Sequence, residues 1–152
     1  MGRPLRICLP GAVYHAIARG NARQNIFLCE QDWERFLDML EQLKSDRPFR
    51  LYAYCLMSNH LHLLIEPLAA TLSGVMNNLL SRYARYFNRE QGRTGHVFQE
   101  RFKSVLCWKD SQFLEQSRYI HLNPVRGGIV ADPSAWPYSG HREYLGCGGR
   151  SL

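Results

Sequence analysis

His60-Leu61-His62 is the point in this sequence where residue types and spacing together first offer chemistry. On an extended strand, residues i and i+2 point to the same face. His60 and His62 then stand side by side, while Leu61, Leu63 and Ile65 face the other way. Two neutral imidazoles so placed can share one divalent cation. The zincin pattern HExxH is excluded, because Leu63-Leu64-Ile65 follows His62. Glu66 falls on the histidine face, as an outer carboxylate or as a plain strand-end charge. A catalytic metal needs further donors. Tyr119 and Asn123, spaced i, i+4, share one helical face. An Asn carboxamide oxygen can complete a hard-metal site with two histidines, and a phenol beside it can act as a nucleophile. His121 points elsewhere on a regular helix. These residues alone leave open a metal site that activates water, a metal site with a tyrosine nucleophile beside it, and two polar residues on a solvated strand face with a packed aromatic.

Charge narrows the partner. The 152 residues carry a formal net charge of +6. Between positions 82 and 109 lie Arg82, Arg85, Arg89, Arg93, Arg101, Lys103 and Lys109, opposed only by Glu90 and Glu100. Tyr83, Tyr86, Phe87, Phe98 and Phe102 are interleaved with them. Arginines can hold phosphates while aromatics stack on unpaired bases. Arg82, Arg85, Arg89, Arg93, Arg101 and Lys103 are therefore the candidate nucleic-acid contacts, with Tyr83 and Phe87 assigned to the core.

The elements that must position these groups follow from periodicity. Val13 to Ala18 is a β-prone run between Pro10-Gly11 and Gly20-Asn21. Gln31 to Lys44 has apolar residues at helical intervals, and Asp46-Arg47-Pro48 ends it. Arg50 to Leu56 and Leu61 to Glu66 read as strands joined by Met57-Ser58-Asn59. Leu72 to Phe87 is helical, Asn88 to Thr94 a polar loop, and Phe102 to Trp108 a fourth strand. A last helix, capped by Asp110 or Ser111, runs through Leu122 and ends at Pro124. The order β-α-β-β-α-β predicts an α+β, ferredoxin-like split βαβ sheet, antiparallel, with helices on one face. A C-terminal tyrosine-bearing helix follows it. No internal repeat or linker divides the chain, so 1–152 reads as one domain with 125–152 as an irregular tail holding a short element near Tyr144.

Composition excludes other classes. No stretch of about 20 apolar residues is present, so no membrane partner is expected. The N-terminus has no apolar signal region, and Arg6 stands where a myristoylation signal after Gly2 needs Ser or Thr. Five cysteines, none spaced CxxC, argue against a disulfide framework or a cysteine zinc site. A cytoplasmic protein is expected.

These pieces resemble one family, the single-tyrosine HUH transposases of insertion sequences, and within it the REP-associated tyrosine branch. The stretches that carry the resemblance are PGAVYHAIARGN, AYCLMSNHLHLLIEP, RYARYFNREQGRTGHVFQERFKS, RYIHLNPVRGGIV and WPYSGHREYLG, in that order across residues 3 to 146. Gly128 and Gly140 depart from the residues common in relatives and touch none of the proposed chemistry. The resemblance implies that His60 and His62 bind a metal, Mg²⁺ or Mn²⁺, with Asn123 as third ligand and Tyr119 as nucleophile. It implies hairpin and single-stranded DNA as partners, and cutting and rejoining through a 5′-phosphotyrosine link. It leaves monomer or homodimer open. The alternative within the same scaffold is a domesticated, non-cutting DNA-binding protein.

Overall fold

Along β1 (Val13–Arg19), Tyr14, Ala16 and Ala18 turn to one face, and His15, Ile17 and Arg19 to the other. The computed structural model describes residues 8–152, so the readings of Gly2 and Arg6 lie outside them. After β1 come α1 (Glu30–Asp46), β2 (Phe49–Leu56), β3 (His60–Pro67), α2 (Leu72–Glu90), β4 (Lys103–Cys107) and α3 (Asp110–Arg126), with α4 (His141–Tyr144) in the tail. The sheet order is β2-β3-β1-β4, and every neighbouring pair is antiparallel. This is the expected ferredoxin-like α+β arrangement.

The two faces of the sheet are covered differently. On one, Leu61, Leu63 and Ile65 of β3 join Tyr14, Ala16 and Ala18 beneath α1 and α2. Phe36, Leu40 and Leu43 of α1, with Val75, Met76, Leu79, Tyr83 and Phe87 of α2, complete that core. Tyr83 also donates its hydroxyl to the Ile26 carbonyl at 2.5 Å, which satisfies its one polar atom. On the other face, Ala53, Cys55, Met57 and Leu64 receive Ile120 and Phe113 of α3. A register shift between Leu51 and Ala53 places Tyr52 and Ala53 on the same side, so the downstream half of β2 presents alternate residues to α3. The expected helix pair thus covers one face, and the tyrosine helix covers the other.

Beyond shifts of one or two residues at the ends of other elements, the boundaries of α2 and α3 differ from expectation. Helix α2 continues past Phe87 to Glu90, because Asn88 donates to the Gly95 carbonyl and the chain turns only at Gly92, with φ 57°. Helix α3 does not stop before Pro124. The ring removes the hydrogen bond to the Ile120 carbonyl. Burial of Pro124 and the bonds from Gly127 N to Asn123 O (2.9 Å) and Ile129 N to Pro124 O (3.0 Å) hold the last turn. Neither Asp110 nor Ser111 caps α3; Lys109 is the cap residue, and Gln112 accepts from the Trp108 N–H at 2.7 Å instead.

The Met57-Ser58-Asn59 turn is tied down by the segment after β1. Ile26 and Phe27 donate to the Ser58 carbonyl, and Gly20 donates to the Asn59 carbonyl. The residue entering β3, His60, is therefore held at a fixed sheet end. In the tail, Ser139 bridges Cys55, Leu56 N donates to Tyr138 O, and Gly140 N donates to Tyr54 O. This segment covers the free edge of β2. The expected short element near Tyr144 is α4. Among the described residues no helix is long and apolar enough to cross a membrane.

Candidate active site

The register of β1 on β3 sets Ile17 opposite His62 and Arg19 opposite His60. His62 is 3% exposed and His60 is half-buried at the strand entrance. Their ring centroids lie 5.0 Å apart, on the face opposite Leu61 and Leu63, as the strand alternation requires. Helix α3 crosses this face and presents Gln116, Tyr119 and Asn123 along one stripe, at helical spacings of three and four.

That stripe meets three histidines in turn. Asn123 Oδ1 is 3.3 Å from His60 Nε2. The Tyr119 ring lies 5.7 Å from the His62 ring and 6.0 Å from that of His15. Gln116 Oε1 is 2.6 Å from His15 Nδ1, and His15 Nε2 is 2.9 Å from His62 Nδ1. The structure therefore brings together all four residues expected at the centre: His60, His62, Tyr119 and Asn123.

The electrostatics favour neutral imidazoles. Burial pushes His62 down to about 3, helped by His15, His60 and Arg19, with the Asn123 carboxamide acting the other way. Burial also lowers His60 and His15, against hydrogen bonds from Asn123 and Gln116 respectively. Uncharged rings offer lone pairs to a metal without first losing a proton.

Whether the residues fit a cation can be tested on their polar atoms. His62 Nε2 is fully buried and has no hydrogen-bond partner. His60 Nδ1 is 2.7 Å from Asn59 Oδ1, an acceptor, so its proton sits there and Nε2 carries the lone pair. That lone pair faces Asn123 Oδ1, a second acceptor. Two facing acceptors and an orphaned imidazole nitrogen are the pattern a bound cation satisfies. Among the described residues, no group of three or more His, Cys, Asp or Glu side chains is placed to hold a metal ion. Beside His60 and His62, the donor within reach is the neutral oxygen of Asn123.

Tyr119 is 37% exposed at a cleft of about 260 Å³. Its walls include Arg19, Arg23, Arg101 and Lys103, together with Gln99 and Glu100. Lys103 pairs with Glu100 at 3.3 Å, and the Arg126 guanidinium lies over the Tyr119 ring. The other candidate DNA contacts sit apart from this wall. Arg82 donates to Gln42 of α1, Arg93 to Gln24, and Arg89 pairs with its neighbour Glu90. Arg85 is exposed on α2.

Sequence reasoning missed His15, Gln116, Arg19, Arg23 and Arg126. The alternation in Val13-Tyr14-His15-Ala16-Ile17-Ala18-Arg19 was the available signal for His15 and Arg19, since it puts them opposite the buried tyrosine and alanines. Glu66 is not an outer carboxylate of this site. It pairs with Arg50 at 3.3 Å and accepts from the Tyr52 hydroxyl at 2.5 Å, four residues along β3. His121 faces His141 and Tyr144 in the tail, and burial pushes it down to about 4.

Comparison with known proteins fits this arrangement. Residues 8–123 match the model of the family described as "Transposase IS200 like". A Haemophilus influenzae protein carrying the name REP-associated tyrosine transposase is 30% identical over 120 residues, which is 71% of this chain and 68% of that one. The Escherichia coli REP-associated tyrosine transposase is 28% identical over 100 residues, covering 64% of this chain and 58% of the relative. The fold is also that of a solved REP-associated tyrosine transposase bound to a REP hairpin, with a TM-score of 0.80 and 21% identity over 99% of this chain and 89% of that one. With the family match spanning most of its length, the chain belongs to the IS200-like transposases, among which its relatives are REP-associated tyrosine transposases.

Proposed function

We propose that this protein binds hairpin DNA of the REP type and cuts and rejoins an adjacent single strand with Tyr119 as the nucleophile. The observation that carries this reading is the stripe Gln116-Tyr119-Asn123 lying against His15, His62 and His60 at the edge of a basic cleft. His60, His62 and Asn123 would hold a Mg²⁺ or Mn²⁺. When bound, that ion supplies Lewis-acid polarisation of the scissile phosphate and neutralises charge on its non-bridging oxygens.

The chain's own residues do the rest. Arg19, Arg23, Arg101 and Lys103 draw the phosphate backbone into the cleft. The partly exposed Tyr119 presents its hydroxyl to the phosphorus. The Tyr119 Oη–P bond forms as the P–O3′ bond breaks. The phenol proton is released to solvent, and the departing 3′ oxygen takes up a proton to become a free hydroxyl. The phosphotyrosine link conserves the ester, so a second 3′-hydroxyl can attack it and restore Tyr119 without ATP. A protein acting this way works on the nucleoid in the cytoplasm, as monomer or homodimer.

The test is covalent trapping on a labelled hairpin oligonucleotide with a single-stranded flank, read on a denaturing gel. Wild type with Mg²⁺ should yield a protein–DNA adduct. Tyr119→Phe should keep hairpin binding and lose the adduct. Cutting that persists in Tyr119→Phe would overturn the tyrosine mechanism in favour of water activation. Hairpin binding with no adduct from wild type would leave the domesticated, non-cutting reading.

A further inference from the structure

We propose that His15 is a positioning residue: with Gln116 it fixes the tautomer of His62, so that the His62 Nε2 lone pair is kept for a metal ion. The proposal rests on the metal reading of His60, His62 and Asn123 and adds a buried group that this reading does not use.

The argument follows one chain of hydrogen bonds. Each neutral imidazole has one N–H and one lone pair. Gln116 Oε1, an acceptor, lies 2.6 Å from His15 Nδ1, so the His15 proton is on Nδ1. His15 Nε2 is then an acceptor, and it lies 2.9 Å from His62 Nδ1, which must donate. That leaves His62 Nε2 bare, and it is a buried ring nitrogen with no hydrogen-bond partner. The opposite polarity would put a proton on His62 Nε2. It would bury an N–H with no acceptor within hydrogen-bond distance, and it would block the nitrogen to any cation. His60 reaches the same state by its own route, through Asn59 Oδ1 at 2.7 Å from its Nδ1. Both histidines of β3 therefore keep Nε2 unprotonated, each fixed by a different neighbour.

The relay also spans three elements of the fold. His15 is on β1, His62 on β3 and Gln116 on α3, three residues before Tyr119. It closes only when the tyrosine helix is docked on the sheet. A second-sphere partner that fixes a ligating imidazole typically contributes 10–100-fold to metal affinity. His15 is 3% exposed, so water does not substitute for it readily.

The experiment uses the full chain without DNA. Long-range ¹H–¹⁵N correlation of the metal-free, histidine-labelled protein reads the His62 tautomer, and Mn²⁺ titration followed by electron paramagnetic resonance reads affinity. Wild type should show His62 protonated at Nδ1. His15→Leu should weaken Mn²⁺ binding by roughly 10–100-fold and release the His62 tautomer. His15→Gln, which retains a donor and an acceptor, should stay within about threefold of wild type. Gln116→Leu, at a partly exposed helix position, should shift the tautomer in the same direction and covers the case that His15→Leu does not fold. An Nε2-protonated His62 in wild type would overturn the proposal. So would unchanged Mn²⁺ affinity in a folded His15→Leu, or a His15→Gln as impaired as His15→Leu. Failure of wild type to bind Mn²⁺ would sink the metal reading instead, and the nitrogen shifts would still decide the tautomer.

Discussion

The Arg126 guanidinium lies over the face of the Tyr119 ring, 5.0 Å from its centre. Both residues belong to α3, which reaches Arg126 only because the helix continues through Pro124. The contact limits where the phenol points. At a partly exposed site such a contact is worth about 0.5–1 kcal/mol. Arg126→Met should therefore slow adduct formation by roughly two- to fivefold in single-turnover trapping, with hairpin affinity less affected. Equal rates for Arg126→Met and wild type would remove this residue from the positioning of Tyr119.

The facing oxygen of Asn123 and nitrogen of His60 give a prediction about donors. Asn123→Asp keeps an oxygen and adds a charge, so it should retain Mn²⁺ binding. Asn123→Leu removes the oxygen from a buried position and should weaken Mn²⁺ binding by at least roughly tenfold. Chelation should abolish the adduct in both. Isothermal titration with Mn²⁺ separates the two variants, and a full-affinity Asn123→Leu would dismiss the carboxamide as a ligand.

The basic segment is one cluster in sequence and two in space. Arg101 and Lys103 line the Tyr119 cleft, whereas Arg82 is turned toward Gln42 on α1. Arg101→Ala and Lys103→Ala should each reduce the slope of log affinity against log salt by about 1. Arg82→Ala should leave it near the wild-type value. Arg85→Ala, exposed on α2, reports whether the hairpin reaches that helix. A salt series by fluorescence anisotropy checks all four, and an unaltered slope in Arg101→Ala would take the cleft off the DNA path.

What was legible in the sequence was what a single element determines. His60 and His62 share a face because a strand repeats every two residues, and Tyr119 and Asn123 because a helix repeats every 3.6. His15 belongs to the same site through the β1–β3 register, which sets Ile17 opposite His62, and no local pattern encodes that pairing. Gln116 reads as one more polar residue until its partner is known. Pro124 misled for the same reason: the local rule ends a helix there, and burial of the ring overrides it.

Cys55 carries a pH prediction. Burial pushes its thiol up to about 12, while an unfolded thiol titrates near 8.5. Between those limits the unfolded chain loses a proton that the folded chain keeps. This contribution to stability is complete below about pH 8.5 and is lost as pH rises toward 12. Burial raises the Tyr54 and Tyr83 phenols as well, which acts in the same direction. In native protein between about pH 7 and 9, iodoacetamide should label the exposed Cys8, Cys29 and Cys147 and leave the buried Cys55 untouched. Mass spectrometry of the labelled peptides reads this directly, and early alkylation of Cys55 would contradict its burial.

Leu56 offers the last test. Met57 bonds across to His60, and Leu56, one residue back, pairs with Leu61 at a site that exchanges no ladder bonds. Its backbone faces outward instead: the N–H donates to Tyr138 O, and the carbonyl accepts from both Trp33 Nε1 and Trp136 Nε1 at 3.2 Å. One indole suffices to satisfy the carbonyl. Trp33→Phe or Trp136→Phe alone should therefore cost about 1 kcal/mol, the net worth of one hydrogen bond plus a small packing change. Removing both leaves the Leu56 carbonyl without either indole donor. The double variant should lose about 1–3 kcal/mol more than the sum of the singles, in a urea-denaturation cycle. Strict additivity would mean that water reaches Leu56 and that the tail does not seal the edge of β2.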